Sequence, residues 1–286
     1  MDKELPLVSI VTPSLNQGRF IEETILSVKN QTYPRIEHIV IDGGSTDGTL
    51  DILEKYGNSL LWTSEPDTGQ SNAINKGWRM SKGEILAYLN SDDTYMPRAV
   101  DTAVKFLLDN PDVGMVYGDA LHTNEKGEVT KVLHVQEFDL KLMLCSLNHV
   151  PQPSVFLRRA VLDEIGYLDE SLHLAMDLDY WIRLSLKFKI AYIPQTQATM
   201  RIHPSAKIPR QYHQAFYDHL RILDKFYSNR NLPQELVAFR PVAYSEVHLR
   251  ASKDFYSAGY RFEAGKHFVK GIIWKTRYLF RRDTIM

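Results

Sequence analysis

Between Pro6 and about Val116, short β-branched runs alternate with amphipathic ones: LVSIVT, FIEETILSVKNQ, IEHIVID, TLDILEKY, LLWTS, NAINKGWRM and EILAYLN. Strand and helix in strict alternation predict a mainly parallel sheet covered by helices on both faces. Open sheets of this kind bind ligands beyond the carboxyl ends of their strands. Each of those ends here runs into a polar segment: TPSLNQG, DGGSTDG, SEPDTGQS and NSDD. Four polar loops at one edge mark where function is expected, although polar turns occur in every α/β protein and do not name the function.

Downstream the pattern changes. From Asp119 to Val135, short alternating runs flank the turn NEKG, as in a hairpin or an excursion from the sheet. QPSVFLRRAVLDEIGYLDE and DLDYWIRLSLKFKIAYIP then predict a strand, two helices and a short strand, so that the sheet-forming part continues to about Pro204. After Pro209 the spacing is helical: Phe216, Leu220, Leu223 and Tyr227 recur on one face, and Phe255, Phe262, Phe268, Ile272 and Trp274 mark further apolar faces. Two or three helices packed against the sheet domain are expected. A chain of 286 residues holds one large α/β domain with such an appendage, and two fully separate domains would be a tight fit.

Composition removes several classes. With 44% hydrophobic and 24% charged residues the chain is neither disordered nor a membrane-spanning bundle, and a net charge of −1 gives no reason to expect nucleic acid as a partner. No run approaches the ~20 apolar residues that cross a bilayer. The opening MDKELPLVSIVTPS has neither a long apolar stretch nor a small-residue cleavage site, so no secretion signal is expected. Cys145 is the only cysteine, which excludes an internal disulfide and a cysteine zinc cluster, and it reads as a buried thiol in a reducing compartment.

The candidate chemistry lies in the loops. In NSDD, Asp92 and Asp93 leave the apolar run ILAYL as adjacent carboxylates, and a hard divalent cation would compensate their charge. Magnesium or manganese needs only one or two carboxylates when substrate phosphates complete the shell, so Asp92 alone can suffice, with Asp93 capping the next segment. His203, in RIHPSAK, is positioned to complete a metal shell or to serve structure; Arg201 reads as a phosphate partner or a solvated edge residue. Asp42 ends a strand ahead of Gly43, Gly44, Ser45, Thr46 and Asp47, where a nucleotide contact and a plain turn capped by Asp47 are both open. Asp177 and Asp179 precede the apolar run WIRLSL; one can cap the helix while the other acts as a general base.

Taken together and in order, VSIVTPSLNQGRFIEETILSV, IDGGSTDGT, EPDTGQSNAINKGW, GEILAYLNSDD, QPSVFLRR, GYLDE and MDLDYWIRL resemble the inverting family-2 glycosyltransferases of the GT-A fold, over roughly residues 6 to 204. The resemblance implies a Rossmann-like α/β sheet domain at 1–207, with a nucleotide-sugar half to about 118 and an acceptor half from 119, then a C-terminal helical extension at 208–286. It implies that Thr12, Pro13, Asp42 and Ser45 line the nucleotide pocket, and that Asp67 with Gln70, Asn72 and Asn75 closes over base and ribose. Asn90, Ser91 and Asp92 would form the DxD-like motif, with Mn2+ or Mg2+ on Asp92 and His203. Asp177 would be the catalytic base, and His149, Gln152 and Asp179 would face the acceptor, although a structural role for His149 stays open.

Two departures stand out: Gly43 where relatives often carry a second Asp, and Asn90 where the first acid of DxD is usual. They leave room for a non-catalytic binding relative, against which Asp92, Asp177 and His203 are retained. A Rossmann dehydrogenase lacks its GxGxxG after the first strand, and a nucleotidyltransferase its glycine-rich basic loop. The expected function is transfer of a sugar from a nucleoside diphosphate, UDP above all, to a hydroxyl of a glycan or lipid-linked glycan in cell-surface polysaccharide synthesis, in the cytoplasm or at the inner membrane face. At the C-terminus, Lys266, Lys270, Lys275, Arg277, Arg281 and Arg282 mix with Trp274, Tyr278 and Phe280. Such a helix suits an anionic membrane face, or packs by its apolar side and leaves a solvated basic one.

Overall fold

The structure, a computed structural model, describes residues 5–146, 148–204 and 207–282, with backbone alone for 207–214 and 277–282. The chain starts as the sequence predicts: β1 (Val8–Ser14), α1 (Ile21–Lys29), β2 (Ile36–Asp42), α2 (Thr49–Tyr56), β3 (Leu61–Ser64), α3 (Gln70–Met80) and β4 (Ile85–Tyr88). β5 (Thr94–Tyr95), α4 (Ala99–Asp109) and the hairpin β6 (Val113–Thr123) and β7 (Val129–Leu133) follow. Then come α5 (Leu140–Cys145), a 3-10 turn at Gln152–Ser154, β8 (Phe156–Arg158), α6 (Arg159–Ile165), α7 (Met176–Ser185) and β9 (Lys189–Arg201). Among the described residues three helices follow: α8 (Lys207–Ser228), α9 (Gln234–Ser257) and α10 (Arg261–Arg282).

Among the described residues nine strands form one sheet in the order β3-β2-β1-β4-β8-β6-β9-β5, with β7 on β6. β3, β2, β1 and β4 are parallel neighbours, and every residue of β1 is buried, as a central strand covered on both faces must be. On one face Val8, Ile10, Ile85 and Ala87 meet Val100, Val104 and Leu107 of α4, while Ile21 and Ile25 of α1 and Leu53 of α2 meet Val40. On the other face α3 lies so close to β1 that a Cβ on Gly77 would stand 2.4 Å from Val11 Cγ1. Beyond β4 the sheet is mixed, because β8 runs antiparallel to both β4 and β6. β9 is longer than the short strand expected: between Ile193 and Thr196 its register with β6 slips, so that Pro194, which has no N–H to donate, sits in an irregularity.

By compactness the chain divides into two units, one made of Met1–Phe138, His149–Ser171 and Leu184–His203, the other of Asp139–Asn148, Leu172–Arg183 and Pro204–Met286. The first contains the whole sheet. In the second, α9 and α10 form a helical hairpin around Gly259 (φ 86°), and Ser245 Oγ donates to the Gly271 carbonyl at 2.9 Å. Phe216, Phe255, His248 and His267 build its aromatic core, and burial pushes the His248 imidazole down to about 4. The half-buried Cys145 thiol is pushed up to about 12 by burial, which keeps it protonated and unreactive.

Candidate active site

The register aligns Ser14 with Asp42 and Asp42 with Ser64, so β1, β2 and β3 end together and their following loops share one edge. The first two loops are interlocked. Asn16, at φ 53°, donates its N–H to Ser45 Oγ at 2.7 Å and accepts the Thr46 N–H on Oδ1 at 2.9 Å; Gly18 N–H donates to Asp47 Oδ2 at 2.9 Å. Asp47, expected to cap α2, also accepts the Thr49 N–H at 3.0 Å.

Asp42 holds this assembly. Its buried Oδ2 accepts from Gly44 N at 3.0 Å, Ser45 N at 2.8 Å and Ser64 Oγ at 2.6 Å, while Oδ1 accepts from Ser45 Oγ at 2.5 Å. Behind it, Thr12 and Pro13 are buried in β1, and Thr12 Oγ1 lies 2.9 Å from Nε2 of His38, whose imidazole is pushed down to about 4 by burial. The space a side chain would take at Gly43 is filled by Asp67: a Cβ there would approach its Oδ2 to 2.8 Å. Asp67 Oδ1 in turn accepts the N–H of Gly69, which has φ 131° and precedes α3.

From α3 a polar chain crosses to the NSDD loop. Gln70 Nε2 donates to Asn90 Oδ1 at 2.6 Å; Asn90 Nδ2 donates to Asp93 Oδ2 and to Gln152 Oε1, both at 3.2 Å; Gln152 Nε2 donates to the Tyr88 carbonyl at 2.7 Å. Gln152 therefore braces the end of β4. Asn72 and Asn75 turn elsewhere: their Nδ2 groups donate to Glu170 at 2.9 Å each, and Asn75 also exchanges two bonds of 3.0 Å with the backbone of Leu168. These amides hold the Glu170 carboxyl below its usual range. Glu170 had only the GYLDE motif to signal it, and nothing local announces partners 95 and 98 residues away. His149 is half-buried with its ring 6.0 Å from that of Phe138.

The acidic pair divides its work. Asp92 keeps 19% of its side chain exposed and presents Oδ2 3.0 Å from Nε2 of the buried His203. Asp93 is buried and accepts the Arg201 N–H at 2.9 Å, and burial together with the neighbouring Asp92 charge raises its carboxyl well above the ordinary value. β5 pairs with β9, Thr94 opposite Thr199, and this pairing brings residues 92 and 203 together across 111 positions of sequence. Ser91 beside them is buried. Arg201 is not solvated: its buried guanidinium donates to the Asp92 carbonyl at 3.1 Å, to the Glu125 carbonyl at 2.9 Å and to Glu23, and lies 4.9 Å over the Phe20 ring. His203 packs on the same ring, centroids 4.8 Å apart.

The donor set suits a hard divalent cation. Two adjacent ligands of a six-coordinate magnesium at 2.0–2.1 Å stand about 3 Å apart, the separation at which Asp92 Oδ2 and His203 Nε2 are found. Among the described residues no group of three or more His, Cys, Asp or Glu side chains could hold a metal. A two-residue grip is what an ion needs when phosphates and water fill the rest of its shell.

In the second unit, Asp177 stands at the start of α7, half-buried. Its Oδ1 accepts the Leu178 N–H at 2.8 Å and its Oδ2 accepts Asn148 Nδ2 at 2.7 Å, yet burial dominates and raises its carboxyl above the usual value. Asp179 is buried between Arg183 Nε at 2.7 Å and Lys225 Nζ at 3.1 Å, a structural ion triad.

The family model described as Glycosyl transferase family 2 matches residues 9–166, from β1 to the end of α6. The chain belongs to glycosyl transferase family 2. An uncharacterized glycosyltransferase of Rickettsia typhi is 30% identical over 205 residues, covering 69% of this chain and 64% of that protein. The chain spans 31% to 64% of the length of the rickettsial relatives it matches first. Among solved structures, Staphylococcus aureus TarS 1–349 in complex with UDP-GlcNAc superposes with a TM-score of 0.69 at 20% identity, over 93% of this chain and 79% of that one. The mannosyltransferase PcManGT from Pyrobaculum calidifontis, in complex with GDP-Man and Mn2+, gives 0.64 at 21% identity, over 93% and 74%. The family-2 fold is thus GT-A, an α/β sheet flanked by helices with helices following it.

Proposed function

We propose that this chain transfers a sugar from a nucleoside diphosphate, UDP by preference, to a hydroxyl of a glycan or lipid-linked glycan, inverting the anomeric carbon. The observation that carries the reading is the Asp92–His203 pair at the carboxyl edge of the sheet, 3.0 Å apart with Asp92 partly open to solvent. Structural neighbours solved with UDP-GlcNAc and with GDP-Man and Mn2+ support a nucleotide-sugar donor and a divalent cation. When bound, that cation neutralises the departing diphosphate. Asp92 and His203 would hold it.

The remaining donor residues act in two ways. Asp67, Gln70 and Asn90 are half-buried and would face base, ribose and diphosphate, with Ser91 in the same loop as Asn90. Thr12, Pro13, Asp42, Ser45 and Asn75 are buried, and they shape the pocket by fixing its loops; Asn72 joins Asn75 in anchoring the Glu170 segment.

Asp177 is the general base. Its carboxylate takes the proton of the acceptor hydroxyl as that oxygen attacks the anomeric carbon and the diphosphate leaves from the opposite side. A carboxyl raised by burial is a stronger base than an ordinary one, and such a group contributes roughly 10²- to 10⁴-fold in rate. His149, Gln152 and Asp179 belong to the acceptor side, the last through its ion triad. The work would be done in the cytoplasm or at the inner face of the cell membrane, in the synthesis of cell-surface polysaccharide.

Asp177→Asn is expected to abolish nucleoside diphosphate release in the presence of Mn2+ and acceptor, with the thermal shift produced by UDP-sugar nearly intact. In the wild type the rate should fall as pH drops through a carboxyl pKa above the ordinary 3.8, because only the deprotonated form accepts the proton. Undiminished turnover in the variant removes Asp177 from the mechanism, and donor binding without any hydrolysis or transfer by the wild type would favour a non-catalytic binding relative.

A further inference from the structure

Helix α10 faces α9 with small or buried residues. Ala264, His267 and Gly271 turn inward, and a Cβ on Gly271 would come within 2.7 Å of Leu249 Cγ. Trp274 joins this inner side, stacked on Tyr244 with centroids 4.6 Å apart. A helix that has used one face for packing ordinarily turns a polar one outward. Here the outward face is apolar: Phe262 is 83% exposed, Phe268 54%, Val269 56%, Ile272 42% and Ile273 47%.

At 100° per residue these five side chains, with Gly265 and Thr276 among them, fill one arc of about 140°. Exposed Lys266 and Lys270 border it on one side and exposed Lys275 on the other, with Arg261 at its N-terminal edge. Over its whole length α10 carries seven basic residues against the single acid Glu263, in a chain whose net charge is −1.

We propose that this face of α10 docks in the plane of an anionic phospholipid bilayer, its apolar arc among the outer acyl segments and its lysines at the phosphates. An apolar strip between basic borders calls for a partner that is apolar in the middle and negative at the edges, and a lipid headgroup layer has that profile. A second copy of the chain does not, since apposing two such faces would bring lysine rows together. Among the described residues no helix is long and apolar enough to cross a membrane, so the contact is a surface one. It is independent of the donor and of the transfer reaction.

Sedimentation of the full chain with sucrose-loaded vesicles tests this without any activity measurement. Phosphatidylcholine vesicles containing 30% phosphatidylglycerol should carry the protein down at 0.1 M salt, and pure phosphatidylcholine vesicles should not. Lys266→Gln with Lys270→Gln should weaken partitioning roughly thirty-fold, and Phe262→Ser with Ile273→Ser should abolish it while leaving the melting temperature unchanged, since both residues face solvent. Failure to bind the anionic vesicles, undiminished binding by the Phe262→Ser, Ile273→Ser variant, or a dimer in ultracentrifugation that this variant dissolves would each overturn the proposal.

Discussion

Asp42 offers a test in which structural and ligand roles can be separated. Alanine at this position removes both carboxylate oxygens and strips the acceptor from the Gly44 and Ser45 N–H groups, while the hydroxyls of Ser45 and Ser64 can turn to other partners. Asp42 is fully buried, so water has no ready path to replace it. Each buried N–H left unsatisfied costs about 1–3 kcal/mol, which makes the loss roughly 2–6 kcal/mol. Asparagine keeps an acceptor for the two N–H groups and forfeits only the charge assistance, about 1 kcal/mol per bond. At 2–4 °C per kcal/mol for a domain of this size, calorimetry should show Asp42→Ala melting roughly 4–24 °C below wild type and Asp42→Asn between the two. An alanine variant within about 2 °C of wild type would refute the view that this carboxylate holds the loops. If the order stands, loss of donor binding in the alanine variant reflects a disassembled loop, and asparagine is the substitution that probes the ligand.

Two further outcomes follow from the core. His38 ordinarily would protonate near 6.5 but is held to about 4, so the unfolded chain takes up the proton first as pH falls; stability is complete above 6.5 and declines by about 1.4 kcal/mol per unit until about 4. His38→Gln should flatten the plot of melting temperature against pH between 4 and 7, and an unchanged slope would show that the imidazole is protonated in the fold. Gly77→Ala should destabilise by about 1–3 kcal/mol in urea unfolding, because the methyl meets Val11 at 2.4 Å and this outweighs the ~1 kcal/mol gained in helix propensity. The cost should shrink in a Val11→Ala background; equal costs in both backgrounds would contradict the proposed clash.

The first half of the fold was legible because the central parallel strands β1 and β4 bury both faces and therefore read as unbroken apolar runs, VSIVT and ILAY. α4 is marked by a different signal, Val100, Ala103, Val104 and Leu107 at helical spacing. β9 was less legible because Pro194 and a polar stretch interrupt it, and only the register slip against β6 lets the strand continue. At the site, residue type alone could not tell whether a polar side chain serves a ligand or its own backbone. Asp42 and Asn75 both turn inward, although either could have met a ribose. Arg201 likewise reads as a phosphate partner or a solvated edge residue, and its burial depends on Glu23, Asp92 and Glu125 converging from three distant segments.

The strand order has a consequence for timing. β1 to β4 lie within residues 8–88 and can pair through short local crossovers, whereas β9, which delivers His203 to Asp92, must wait for residues 189–201 and for β6 to receive it. Long-range pairings of this kind close late, after the loop entropy of the intervening chain has been overcome. A nascent or half-folded chain would thus already display its first loops while lacking the Asp92–His203 pair proposed to grip a cation, so under that proposal metal affinity would arise only with the last strand and report that the sheet is finished.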